Sequence, residues 1–233
     1  DKLIAQLTDI FTHIDQNSNI RVMVLASTGK SFSAGADLNW MRRMATYSYE
    51  QNLADANALA SMFQILNSID KPTIARVQGA AFGGAVGLVA CCDMAIASKL
   101  SKFCLSEVKL GLIPATISPY VIDAIGARVA RRYFTTAEVF SARRARRLGL
   151  LSEAVVEEEL DSTIDNLIEH LLKNSPAAIL EAKKLILEIQ NKPISEDMIA
   201  MTSDKIAKIR VSEQGQEGLN AFLQKRRANW VME

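Results

Sequence analysis

The stretch from Ala80 to Ser98, AAFGGAVGLVACCDMAIAS, constrains the fold more than any other part of the chain. Gly83, Gly84 and Gly87 stand in otherwise apolar surroundings whose second half reads as a helix running into a short strand. Gly costs up to ~1 kcal/mol against Ala inside a helix, so repeated Gly in a buried element implies a close approach to the backbone. Two readings are open from the residues alone. Either a ligand atom reaches the main chain here, or the glycines only permit tight strand-to-helix packing.

The elements around this stretch alternate. DKLIAQLTDIFTHIDQ, from Asp1, carries Leu3, Ile4, Leu7, Ile10, Phe11 and Ile14 at helical spacing, and IRVMVLAS follows as a β-branched run bounded by polar residues. After a turn at Thr28–Lys30, a long helix carries Leu53, Leu59, Met62, Phe63 and Leu66 until Pro72 stops it. TIARVQG (Thr73 to Gly79) and DMAIAS (Asp93 to Ser98) read as strands on either side of the glycine stretch. This order predicts an α/β fold with crossover helices between mostly parallel strands, and ligands in such folds sit beyond the carboxyl ends of strands.

From Ser118 onward the pattern is helical, with Pro119 in a first turn, Ser141 and Gly149 bounding SARRARRLGL, and SEAVV as one late strand. Further helices are expected near Asp161, Ser175 and Ser195, and a last one through QEGLNAFLQKRRANW. With 233 residues and 49% of them hydrophobic, the chain can bury one sizeable core. The expected division is an α/β core over 1–174 and a helical region over 175–233, long enough to pack on a partner subunit.

Composition excludes several chemistries. A net charge of +1 points to neither nucleic acid nor an anionic membrane, and no run reaches the ~18 apolar residues of a membrane span. Cys91 and Cys92 lie in an apolar run without zinc-ligand spacing, which fits a reducing compartment, and no signal-peptide shape opens the chain. Only His13 and His170 are present, both in helix-surface patterns, so a His-based triad or metal site is disfavoured and proton transfer falls to a carboxylate. GAAFGG is not a dinucleotide fingerprint, and Arg143, Arg144, Arg146 and Arg147 read as a solvated helix face. Trp40, Met41 and Met44 read as core or pocket lining.

Two loops follow strands in equivalent fashion, FSAGADL and GAAFGGAV. Small residues at Ala34, Gly35 and Ala36, and at Gly83, Gly84 and Ala85, leave main-chain N–H groups accessible. Two such amides converging from separate loops would form an oxyanion hole. Past the third strand, FCLSEVKLGLIP places Glu107 before a Gly-Leu-Ile-Pro turn at the mouth of the fold.

In this order and spacing, SFSAGADLNWM, QGAAFGGAVGLVACCDMAIAS, FCLSEVKLGLIP and EGLNAFLQKRRANW resemble the enoyl-CoA hydratase/isomerase (crotonase) superfamily over nearly the whole chain. The resemblance implies a crotonase-like spiral of ββα units with a helical C-terminal trimerisation region, and family strands preceding Asp1. It implies an acyl-CoA thioester whose carbonyl lies between the amides of Ala36 and Gly84, with Glu107 as acid/base. Ala34 would meet the adenine end of coenzyme A, Asp37 and Leu38 would line the same loop, and Phe222 and Lys225 would approach the nucleotide from a neighbouring subunit. Gly83 and Gly87 would border the acyl group.

The first of the two family glutamates maps to Gly87 and is absent, which would free room beside the reacting carbons for a branched or carboxylated acyl group. The motifs look most like hydratases of the methylglutaconyl-CoA type. An isomerase using Glu107 alone, or a non-catalytic acyl-CoA- or RNA-binding protein of the same fold, are the alternatives. Also implied are a homotrimer or dimer of trimers, a bacterial cytosolic or mitochondrial matrix location, and no metal or further cofactor, coenzyme A being part of the substrate.

Overall fold

The computed structural model describes residues 2–231; Asp1, where the helical pattern opens, lies outside them. Helix α1 (Lys2–Gln16) buries Phe11 and lays Ile4, Leu7 and Ile14 on the main core, and strand β1 (Met23–Leu25) follows. Helix α2 (Leu38–Met44) is capped by Asp37, and α3 (Tyr49–Ser68) by a capping box in which Ser48 and Gln51 satisfy each other's backbone amides. Met62, Phe63 and Leu66 form the buried stripe of α3.

The strands divide between two sheets. β1, β2 (Thr73–Val77), β4 (Met94–Ser98) and β7 (Glu153–Val155) form a parallel sheet in the order β1-β2-β4-β7. The second sheet joins β3 (Ala80–Phe82) in parallel with β5 (Lys102–Cys104), and β5 antiparallel with β6 (Phe140–Ser141). Chain order is thus a strand in the first sheet, a short strand in the second, then a helix: β2, β3 and α4 (Gly84–Cys91), then β4, β5 and a 3-10 turn, Glu107–Leu110. This is the ββα spiral that the motif resemblance implied.

Simple alternation missed the second sheet, because Ala80–Phe82 and Lys102–Cys104 are too short to display a period of two. The corner between the sheets is Gly79, with φ 60°. A Cβ there would lie 1.9 Å from the Lys30 carbonyl oxygen, so only glycine lets the first loop cross so close. Buried Gln78 holds that loop by donating from Nε2 to the Ser27 and Gly29 carbonyls, at 2.9 and 3.3 Å.

Helix α5 (Ser118–Ile125) has Pro119 in its first turn and is followed by α6 (Ala127–Thr136), which lays Val129, Ala130, Tyr133 and Phe134 on the core. Helix α7 (Ala142–Leu148) runs between the Ser141 cap and left-handed Gly149, and its four arginines are exposed. Then come α8 (Leu160–Leu172), α9 (Pro176–Ile189), α10 (Glu196–Val211) and α11 (Glu213–Leu223). Ser175, Ser195 and Ser212 cap the last three. The last helix ends earlier than the expected run to Trp230. Lys225 turns left-handed (φ 53°), Arg226 pairs with Glu217, and Trp230 folds back to donate to the Lys173 carbonyl at 3.2 Å. Helix α9 is tied to the core by Lys183 Nζ–Asp93 Oδ2 at 2.8 Å. Among the described residues no helix is long and apolar enough to cross a membrane.

Candidate active site

Three segments reach the same end of the second sheet. Ser33 forms a parallel bridge with Ala81, its N–H donating to Ala80 O at 2.9 Å and its carbonyl accepting from Phe82 N–H at 3.0 Å. Three residues beyond that bridge on each strand stand Ala36 and Gly84. On the other side, Phe82 pairs with Cys104, and Gly83 N–H donates to Cys104 O at 2.8 Å. Glu107 follows Cys104 by three residues. Parallel pairing therefore delivers both small-residue loops and the carboxylate to the carboxyl ends of neighbouring strands, where α/β folds bind ligands.

Backbone geometry then exposes the amides. Gly83, the N-cap of α4, adopts φ 59°, ψ −128°, a conformation open to glycine and strained for any other residue. Gly84 is the first residue of α4, is exposed, and its N–H precedes the first intrahelical bond. Ala34, Gly35 and Ala36 are exposed as well. Two exposed amide-bearing loops side by side can stabilise an oxygen on which negative charge develops.

The acid stands beside them. A Cβ on Gly83 would be in ordinary contact with Glu107 Oε1 at 3.5 Å and Ser106 Oγ at 3.9 Å. Glu107 Oε2 is buried with no hydrogen-bond partner. Burial pushes its carboxyl above the ordinary range, against a smaller lowering from a backbone hydrogen bond. A carboxyl raised in this way by burial, with one oxygen lacking a partner, is suited to proton transfer. Ser106, which the sequence pattern does not single out, is the only new side chain that this geometry adds to the candidates; its sole signal is adjacency to Glu107.

Gly87 differs from expectation. A Cβ there would meet Ile117 Cγ2 at 2.2 Å, Ile117 Cβ at 2.7 Å and Phe63 Cε1 at 3.0 Å. The room expected beside the reacting carbons is taken by these two core side chains, so Gly87 makes a packing contact and leaves no vacancy. Asp37 accepts from Trp40 N–H at 2.8 Å, so its carboxylate works as the cap of α2, with Leu38 67% exposed beside it. Trp40 is half-buried, donating from Nε1 to Asp55 at 3.0 Å and fixing α2 to α3. Phe222 and Lys225 are exposed at the end of α11, and His13 and His170 are exposed on α1 and α8.

A cleft of about 400 Å³ under α9, bordered by Asn67, Asp93, Tyr120 and Asp123, contains none of the candidate residues. Among the described residues no cluster of three or more His, Cys, Asp or Glu could hold a metal ion.

Comparison with known proteins agrees with this geometry. Residues 1–233 match the profile of the family described as enoyl-CoA hydratase/isomerase. An enoyl-CoA hydratase, AKT6-1, of Alternaria alternata is 34% identical over 87% of this chain and 69% of its own. A crotonyl-CoA hydratase of Syntrophomonas wolfei is 29% identical over 98% of this chain and 87% of its own. The crystal structure of an enoyl-CoA hydratase from Shewanella pealeana superposes with a TM-score of 0.94 at 49% identity, covering 97% of this chain and 85% of that one.

Proposed function

The chain belongs to the enoyl-CoA hydratase/isomerase family, and from that premise we propose that it adds water across the C2–C3 double bond of a 2-enoyl-CoA thioester. The observation that carries the reading is the half-buried Glu107 carboxyl, whose Oε2 has no hydrogen-bond partner, set beside Gly83 and the exposed Gly84 at the start of α4. The thioester oxygen lies between the N–H groups of Ala36 and Gly84. Water attacks C3, the electron pair of the double bond moves to C2 and the thioester oxygen, and both amides stabilise the resulting enolate, ~3 kcal/mol or more per well-placed donor. Glu107 takes the proton lost by water, and C2 regains a proton from the same carboxyl.

The acyl group is branched or carboxylated, of the methylglutaconyl-CoA type. The motifs FSAGADLNWM and GLVACCDMAIA support this, whereas the filled space at Gly87 lends it nothing. Coenzyme A enters as part of the substrate, its adenine end at Ala34. The C-terminal helices assemble the chain as a homotrimer or a dimer of trimers, with Phe222 (81% exposed) and Leu223 (75%) on the apolar face.

One observation favours a second reading, an enoyl-CoA isomerase. Among the described residues Glu107 is the only carboxylate within 4 Å of the Cβ position at Gly83, and a double-bond shift needs a single base. An ultraviolet assay at the thioester enone band separates the two, using crotonyl-CoA, 3-methylglutaconyl-CoA and a 3-enoyl-CoA. Loss of the enone band with either 2-enoyl thioester, fastest with 3-methylglutaconyl-CoA, is expected. Growth of that band from the 3-enoyl-CoA alone overturns the hydratase reading.

A further inference from the structure

A single carboxylate leaves one task of hydration unassigned, because the attacking water has two O–H bonds and Glu107 takes only one proton. The position of the absent second acid cannot supply the hold, since Ile117 and Phe63 fill the space at Gly87 with apolar atoms. Beside Glu107 stands another polar side chain, Ser106: its Oγ and Glu107 Oε1 lie 3.9 and 3.5 Å from one common point, the position a Cβ would take on Gly83. Ser106 is half-buried, its hydroxyl makes no hydrogen bond within the described residues, and it is not among the sealed, partnerless atoms that include Glu107 Oε2. It is therefore a free hydroxyl with solvent access. Its backbone fixes it there: Ser106 holds φ −88°, ψ −1° directly ahead of the 3-10 turn, and its carbonyl accepts from Lys109 N–H at 3.1 Å.

We propose that Ser106 is a catalytic hydroxyl of the hydration step, accepting at Oγ the O–H of the attacking water that Glu107 does not take. In the step, the water oxygen bonds C3, one water proton passes to the Glu107 carboxylate, and a proton returns from that carboxyl to C2. The second O–H bond survives as the product hydroxyl, hydrogen-bonded to Ser106 throughout. The serine gains and loses no proton, so the balance of the reaction is unchanged. Alignment of a nucleophile by one hydrogen bond acts on the water-dependent step alone, and leaves removal of a proton from C2 to Glu107 and the two amides.

This inference rests on the hydratase reading. Its test compares Ser106→Ala and Ser106→Thr with the unmodified chain in hydration of crotonyl-CoA and in exchange of the C2 protons of butyryl-CoA with deuterated water, which needs no attacking water. Expected for Ser106→Ala is a ~10-fold lower kcat for hydration at unchanged KM, exchange at the unmodified rate, and an unchanged melting temperature. Ser106→Thr, which keeps the hydroxyl, recovers most of the hydration rate. Full hydration by Ser106→Ala, an equal loss in the Ala and Thr variants, or parallel loss of hydration and exchange overturns the assignment while leaving the hydratase reading intact. An unmodified chain that hydrates no 2-enoyl thioester overturns both.

Discussion

Gly83 and Gly87 lie one helical turn apart, and both lack a side chain for opposite reasons. At Gly83 a Cβ would meet Glu107 and Ser106 at ordinary contact distance; at Gly87 it would collide with Ile117 and Phe63. At Gly83 the backbone, φ 59° and ψ −128°, demands glycine, and at Gly87 the missing side chain lets a helix settle on the core. The packing reading of the glycine stretch holds at Gly87, and the ligand reading belongs to Gly83 and Gly84 under the proposed function. Composition cannot separate them, because what differs is the neighbour across the gap.

The sharpest way to probe the Gly83 side is Glu107→Gln, the largest effect expected on activity. Losing the acid beside Gly83 should lower kcat at least ~100-fold, with coenzyme A binding by calorimetry nearly unchanged. Stability moves the other way. Burial raises the Glu107 carboxyl above the 4.5 of an unperturbed one, so the folded chain is stabilised below that value and loses this contribution as pH climbs through the raised one. Gln carries no charge and escapes the loss. The variant should melt higher than the unmodified chain at pH 7, and the gain should vanish below about pH 4. A variant that melts lower at pH 7 would remove the burial argument, and one with full kcat would remove Glu107 from the chemistry.

The closed side is tested by Gly87→Ala. In an open helix the change would stabilise by up to ~1 kcal/mol, but here the new methyl lands 2.2 Å from Ile117 Cγ2. Overpacking of this order costs ~1–3 kcal/mol, so urea unfolding should show a net loss. Combining it with Ile117→Ala, which removes Cγ2, should cost less than the two single changes summed. Additive costs would mean that Gly87 and Ile117 do not compete for the same space. An acid placed at residue 87 meets the same crowding, so Gly87→Glu is expected to lose stability and to restore no second carboxylate to the site.

How much of this was legible beforehand follows from range in sequence. The long helices announce themselves locally: α1 and α3 through their apolar spacing, α9 and α10 through Ser175 and Ser195. Glu107 and the two loops stand out because strand ends, small residues and a turn are all local signals. Strands β3 and β5 escape because three residues show no period, whereas α6 falls within the helical pattern expected from Ser118 onward, with Val129, Ala130, Tyr133 and Phe134 at helical spacing. The partner of Gly87 lies thirty positions away on the approach to α5, where nothing in the spacing marks Ile117 as the side chain that closes the gap. Ser106 needs the fold in the same way, since a serine before a glutamate carries meaning only once Gly83 is seen beside both.

The smallest effect expected comes from a region neither glycine touches, and it sharpens their contrast by separating the hold on coenzyme A from the chemistry. Lys225 ends the C-terminal helical region, exposed and with φ 53°. Lys and Ala both carry a Cβ, so the left-handed strain is common to both and Lys225→Ala changes little except the charge. One charge near a phosphate, in water, is a modest and screened attraction. The variant should bind coenzyme A severalfold more weakly at low salt, with the difference shrinking as salt is added, and should keep the kcat of the unmodified chain. Glu107→Gln moves kcat and leaves binding; Lys225→Ala moves binding and leaves kcat. An unchanged, equally salt-sensitive affinity in calorimetry takes Lys225 out of the nucleotide site, and a fall in kcat would mean that the tail reaches the acyl end as well.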